Sequence, residues 1–262
     1  MSTKVIAIPA FKDNYIWAIH NPQETQVIVV DPGDAAPVLA YLQQNNLTLK
    51  AILLTHHHWD HSGGIPVLVD HFPTIPVYGP ANEKEPIAGV NQPIKENDEI
   101  AFADFSLTLK VIDIPGHTLG HIAFFGNEML FCGDTLFACG CGRIFEGTPE
   151  QMAASLEKIK NLPKNTLIYC GHEYTLANIR FAKAVEPSNN ALLEFEQISK
   201  ENQQKNQPTL PTMLQQELAT NPFLRCDQQS VISAVQQHGD NTISDPVSIF
   251  AQLRRRKNEF TG

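Results

Sequence analysis

Residues 55–64 read Thr55-His56-His57-His58-Trp59-Asp60-His61-Ser62-Gly63-Gly64, directly behind the apolar run Ala51-Ile52-Leu53-Leu54. The run is short, branched and aliphatic, so it predicts a buried strand rather than a helix. Side chains alternate faces along an extended segment, which sends His56 and His58 to one side and His57 to the other. Once the chain turns out of the strand, Asp60 and His61 can swing back over the same point. Converging imidazoles beside a carboxylate suit a pair of divalent ions, since both groups are usual donors to zinc, iron or manganese. A His-rich surface loop is the bland alternative. The clustering of ionisable groups at a strand end, ahead of a Gly63-Gly64 pair that marks close backbone approach, speaks against it.

Three further segments repeat the design of strand, small residue, ligand-type side chain. They are Val111-Ile112-Asp113-Ile114-Pro115-Gly116-His117, Leu130-Phe131-Cys132-Gly133-Asp134 and Leu167-Ile168-Tyr169-Cys170-Gly171-His172. Alone, His117 or His172 would more often be a packed or surface histidine. Recurrence of one local pattern instead predicts donors gathered where strand ends meet one sheet edge.

Strands are expected over 5–8, 15–19, 27–30, 51–54, 106–112, 121–125, 128–131 and 166–170, with helices over 36–44, 65–71 and 149–162. The last helix carries Thr148 and Gln151 in capping-box spacing. Beyond residue 173 the character changes to polar-faced helices over 174–185, 190–206 and 246–258. The reading is an α/β first domain, 1–172, and a mainly helical second domain, 173–262. With 42% hydrophobic and 18% charged residues the chain is no disordered protein, and its net charge of −9 argues against nucleic-acid and anionic-membrane partners. No apolar stretch approaches the roughly 20 residues that span a bilayer. The first residues lack the pattern of a secretory leader. The five cysteines, Cys132, Cys139, Cys141, Cys170 and Cys226, are an odd number without framework spacing, so a cytoplasmic protein with free thiols is expected.

Taken together, His56-x-His58-x-Asp60-His61, His117, Asp134 and His172 resemble the metallo-β-lactamase superfamily and, within it, the glyoxalase II or hydroxyacylglutathione hydrolase family. Further signs are Ile8-Pro9-Ala10-Phe11, Asp13-Asn14-Tyr15, Val30-Asp31-Pro32-Gly33-Asp34, Gly133-Asp134-Thr135-Leu136-Phe137, Gly140-Cys141-Gly142-Arg143 and Gly171-His172-Glu173-Tyr174-Thr175. The resemblance spans essentially the whole chain. It implies a metallo-β-lactamase-type αββα sandwich with a smaller C-terminal helical domain. It also implies two divalent ions, zinc first with iron or manganese as alternatives: one on His56, His58 and His117, the other on Asp60, His61 and His172, with Asp134 bridging. Asp31 would orient a ligand by hydrogen bonding; on the residues alone, an Asx-turn ahead of Pro32-Gly33 is equally open.

The implied activity is hydrolysis of S-(2-hydroxyacyl)glutathione, notably S-D-lactoylglutathione, to glutathione and a 2-hydroxy acid such as D-lactate in methylglyoxal detoxification. A metal-bridging hydroxide, oriented by the catalytic carboxylates Asp60 and Asp134, would attack the carbonyl, because bound metal lowers the pKa of water to about 7. A thiol pKa of about 8.5 makes thiolate a good leaving group without a strong general acid. The resemblance assigns Arg254 and Lys257, in Arg254-Arg255-Arg256-Lys257, to the glycine carboxylate of glutathione, and Arg143 and Tyr174 to the same tripeptide. By itself that basic run also fits a solvated helix end complementing the dipole. Many relatives carry lysine at 143 and tyrosine at 145; Arg143 keeps the charge, whereas Phe145 lacks the hydroxyl. Cys139 and Cys141 read as loop residues between glycines. The rivals are a persulfide dioxygenase-like mono-iron oxidoreductase of the same superfamily and, less suited to the composition, a nuclease or β-lactam hydrolase. A monomer acting on a small glutathione thioester is expected.

Overall fold

The apolar run ahead of the histidine motif is buried strand, as its branched side chains predict: Ala51, Ile52 and Leu53 have no exposed surface. It belongs to a computed structural model that describes residues 3–238 and 242–261 and packs as two units, Met1–Asp113 with Thr118–Gly133 and Ile114–His117 with Asp134–Gly262.

In the first unit, β1 (Lys4–Ala10), β2 (Asn14–His20) and β3 (Gln26–Val30) are successively antiparallel. Helix α1 (Ala35–Asn45), capped by the Asp34 side chain on Ala36 N, carries the chain across to β4 (Thr48–Leu53), parallel to β3. The four-residue α2 (Trp59–Ser62) and α3 (Ile65–His71) follow, then β5 (Val77–Pro80) and β6 (Gln92–Ile94), both parallel, giving the sheet order β1-β2-β3-β4-β5-β6. Parallel strands roofed by crossover helices are apolar on both faces, which is why β3 and β4 read as near-continuous hydrophobic runs. Val38 and Leu42 of α1 and Leu68 of α3 share a core with Val29, Ile52 and Val77. An antiparallel meander completes the unit: β7 (Glu99–Phe102), β8 (Leu107–Asp113), β9 (Ile122–Gly126) and β10 (Met129–Gly133). In β8, Leu107, Leu109 and Val111 are buried while Thr108 and Lys110 face outward, the alternation of a strand with one wet face.

The second unit holds the small hairpin β11 (Leu136–Phe137) and β12 (Gly140–Cys141), then α4 (Pro149–Lys160), β13 (Leu167–Cys170), α5 (Thr175–Val185) and α6 (Asn190–Gln204). Strand β14 (Thr212–Met213) pairs antiparallel with β13, and α7 (Leu214–Thr220), α8 (Gln229–Gln236) and α9 (Pro246–Glu259) end the chain. Helix α5 packs on α6 and α8, and α9 on α4 and α8. Phe181, Phe223 and Phe250 form their aromatic core, with ring centroids 5.9 Å apart in each adjacent pair.

The predicted helix over 65–71 lands residue for residue. Outside the expected elements lie α2, β5, β6, β7, β11, β12 and β14, each at most four residues long, and α7 and α8, whose inward apolar side chains are few among glutamines. The packing boundary after Gly133 is distinct from the compositional change at 173, which lies inside the second unit.

Helix α4 begins with the expected capping box: Thr148 Oγ1 accepts from Gln151 N at 3.3 Å, and Gln151 Oε1 accepts from Thr148 N at 3.0 Å. Thr148→Ala should therefore lower stability by about 1 kcal/mol, seen as a lower denaturation midpoint at constant m-value. An unmoved midpoint would show that the box does not hold the helix.

Candidate metal centre

Past Leu53 the chain leaves the sheet irregularly and enters α2 at Trp59, so His56 and His58 stand on a loop and Asp60 and His61 on the helix. The loop still brings the two histidines together, as alternation predicts. His56 Nε2 lies 3.1 Å from His58 Nδ1, and His56 Nδ1 lies 3.0 Å from Thr55 Oγ1. The His57 ring pairs elsewhere, with Nδ1 3.2 Å from Glu83 Oε1.

Asp31 is buried and reaches three groups. Oδ1 accepts from Thr55 N at 2.8 Å, while Oδ2 accepts from Thr55 Oγ1 at 2.7 Å and lies 3.0 Å from His61 Nδ1. This decides the alternative left open by the sequence: the carboxylate orients a histidine rather than closing an Asx-turn. With Nδ1–H spent on Asp31, His61 presents the Nε2 lone pair, which stands 3.6 Å from Asp60 Oδ2. Asp60 Oδ2 in turn accepts from Asn14 Nδ2 at 3.1 Å. The turn after Asp31 presses so closely on α2 that a Cβ on Gly33 would sit 1.8 Å from the Asp60 carbonyl oxygen.

In the second unit, His117 Nδ1 donates to Arg143 O at 2.8 Å, leaving Nε2 3.5 Å from Asp134 Oδ2. His172 Nε2 is 3.3 Å from the same carboxylate oxygen. Two ligands each about 2.0–2.2 Å from one ion at a tetrahedral angle stand about 3.3–3.6 Å apart. The separations on Asp134 fall in that range, so donor type and spacing fit a divalent metal.

Asp134 and His117 also line a cavity of about 450 Å³ with Arg143, Tyr174, Arg254 and Lys257. The Tyr174 ring stacks on His172, centroids 4.7 Å apart at 5°. The end of α9 is not a solvated tail: Arg254 is 6% exposed and donates from Nη1 to Cys141 O at 2.8 Å, and Lys257 Nζ donates to Ala177 O at 3.2 Å. Arg255 points outward, near Glu259. Burial, then the neighbouring Arg254 and Arg180, push the Lys257 ammonium down to about 8. Phe145 is 62% exposed with its ring 5.2 Å from that of His117. Cys139 stands in the turn of the small hairpin, as expected of a loop residue, whereas Cys141 is in strand β12, paired with Leu136: the Cys139 N–H donates to Glu217, and the Cys141 carbonyl accepts from Arg254.

Thus His56, His58, Asp60 and His61 are gathered in the first unit, and His117, Asp134, His172, Arg143, Tyr174, Arg254 and Lys257 in the second. The sequence carries no local sign of a role for Asn14, Glu83 or Glu217. None of the three belongs to a ligand-spaced motif.

Residues 12–172 match the family model described as metallo-beta-lactamase superfamily, and residues 173–260 that of the hydroxyacylglutathione hydrolase C-terminus. The chain is 56% identical over 256 residues to the hydroxyacylglutathione hydrolase of Nitrosomonas eutropha, covering 98% of each. It is 51% identical to that of Vibrio parahaemolyticus serotype O3:K6, covering 98% of this chain and 99% of the relative. Among solved structures, BLEG-1 B3 metallo-beta-lactamase superposes with TM-score 0.62 at 25% identity, over 85% of this chain and 99% of that one. ETHE1 from Myxococcus xanthus gives TM-score 0.63 at 22% identity over 98% of each chain, a likeness of fold.

Asp31→Asn should weaken metal affinity about 10–100-fold, the usual effect of losing a ligand-orienting carboxylate. Competition with a chromogenic chelator measures it, and unchanged affinity would show the Asp31–His61 bond to be idle.

Proposed function

The chain belongs to the hydroxyacylglutathione hydrolase family of the metallo-β-lactamase superfamily, and from that premise we propose how its own residues serve the reaction. The protein is a thioesterase that hydrolyses S-(2-hydroxyacyl)glutathione to glutathione and a 2-hydroxy acid. One observation carries this: the likeness runs over 98% of the chain at 56% identity, helical C-terminal region included. On the same ground the persulfide dioxygenase alternative is not favoured.

In our reading His56, His58 and His117 hold one divalent ion, and Asp60, His61 and His172 the other, with Asp134 shared. Supporting it are the imidazole orientations set by Thr55, Asp31 and the Arg143 carbonyl. Ions bound there would lower the pKa of a water to about 7 and polarise the thioester carbonyl. Asp60, steadied by Asn14, and Asp134 accept hydrogen bonds and so orient the attacking water. The sulfur leaves as a thiolate, so no side chain need deliver a proton to it. We assign the glycine carboxylate of glutathione to Arg254 and Lys257 and the rest of the tripeptide to Arg143 and Tyr174, all of which line one cavity. The same reading has zinc as the first choice of metal, 1–172 as the catalytic domain, 173–262 as the substrate-binding domain, and a cytoplasmic monomer. Five free thiols accord with a reducing compartment, and no helix among the described residues is long and apolar enough to cross a membrane.

Elemental analysis of metal-saturated protein should give two ions per chain; one ion would return the mono-iron alternative. Arg254→Ala and Lys257→Ala should each weaken substrate binding by about 1.5–3 kcal/mol. The loss falls on KM rather than kcat, because a carboxylate remote from the thioester is held alike in ground and transition states. Arg255→Ala is the control, and equal effects at all three positions would sink the assignment. Since Lys257 loses its charge as pH rises through about 8, KM should climb above that pH. Lys257→Ala should lack this limb of the profile.

A further inference from the structure

Glu217, on α7, has no exposed surface and no cationic partner among the described residues. Burying a carboxylate without a counter-charge is costly, and here its hydrogen bonds converge on one hairpin. Glu217 Oε2 accepts from Cys139 N at 2.8 Å and from Asn221 Nδ2 at 3.0 Å. The same Asn221 amide reaches Phe137 O at 3.1 Å and Gly140 O at 2.9 Å, and Asn178 Nδ2 donates to Ala138 O at 3.0 Å. Cys139 sits at φ 53°, a left-handed conformation that a side chain other than glycine keeps only where its surroundings impose it. Residues 137–140 are therefore pinned one by one, and the next carbonyl, that of Cys141, receives the Arg254 guanidinium. Phe137, Cys141 and Arg254 all line the 450 Å³ cavity.

We propose that Glu217 is a positioning residue for substrate binding: through Cys139 and Asn221 it sets the hairpin whose Cys141 carbonyl aims Arg254 at the substrate carboxylate. The inference rests on the reading that Arg254 grips glutathione. Burial pushes the Glu217 carboxyl up to about 7, opposed by its bonds from Asn221 and the Cys139 N–H. The groups facing it are the Cys139 thiol on the hairpin, Thr212 on β14, and Thr220 and Asn221 at the end of α7; none is a cation. Of these only the thiol titrates, and burial followed by Glu217 itself pushes it well above its ordinary range. A carboxylate holds the Cys139 N–H and the Asn221 amide through charge-assisted bonds, a neutral acid through weaker ones. Grip on the substrate should thus slacken as pH falls through 7.

The test is calorimetric titration of the metal-loaded enzyme with S-methylglutathione, an unreactive thioether, at about pH 6 and about pH 7.5, on either side of the carboxyl's titration. Wild-type affinity should drop about fivefold at the lower pH, the difference between charged and neutral hydrogen bonds. Glu217→Gln keeps the shape without the charge, so it should show the weaker affinity at both pH values, with KM raised and kcat kept. A variant that binds as tightly as wild type, or retains the wild-type pH step, overturns the proposal. Arg254→Ala separates the two layers of argument. If it leaves affinity unchanged, the substrate assignment falls; if it weakens binding while Glu217→Gln does not, the latch alone falls. Should Glu217→Gln fail to fold, Asn221→Ala must raise KM without lowering kcat, and an unchanged KM there would overturn the inference equally.

Discussion

An imidazole offers a metal one defined lone pair only when its other nitrogen has a fixed partner, and the structure is organised around supplying those partners. The first unit does this with two parallel strands. Because β3 and β4 run parallel with Val30 beside Leu53, both chains leave the sheet at the same edge, and Asp31 N donates to Leu53 O. Asp31 is the first residue past β3 and Thr55 the second past β4. Their mutual bonds lock the edge, and each then takes the Nδ1 of a histidine, His61 and His56 respectively. The second unit achieves the same for His117 with a main-chain carbonyl. The candidate ligand histidines are thus positioned from the backbone outward, by groups that cannot move without unpairing strands or loops.

Legibility in the sequence followed the range of the interactions. The segment from Ala51 to Gly64 could be read because strand, loop and ligands are contiguous, and the helix at Ile65–His71 because its periodicity is local. Asp31 stayed ambiguous because its partners are 24 and 30 positions away. The Arg254–Lys257 run read equally as a solvated helix end. Arg254 is instead buried, with its guanidinium on a carbonyl 113 residues earlier. Glu217 left no mark at all: beside Gln215 and Gln216 it looks like one more polar residue on a helix, and only the packing around Cys139 gives it a role.

Charge placement shows the same economy. On the substrate assignment proposed above, a protein with net charge −9 binds an anion without raising its overall positive charge. Instead Arg143, Arg254 and Lys257 are drawn to one cavity, where low-dielectric walls strengthen the local field. Crowding them is opposed by desolvation, which Lys257 registers in its lowered pKa. The faces of Phe181 and Phe260, 5.1 and 5.8 Å from the ammonium, favour its charged form.

Every one of the five cysteines is buried, and burial raises the thiols of Cys139, Cys141 and Cys226. Only a thiolate attacks a disulfide, and only an accessible one can reach the sulfur of glutathione disulfide. A hydrolase that releases a free thiol at each turnover works in a medium of thiols and their disulfides. Sealed in this way, its own sulfur atoms stay out of that exchange, and catalysis leaves no mixed disulfide on the catalyst.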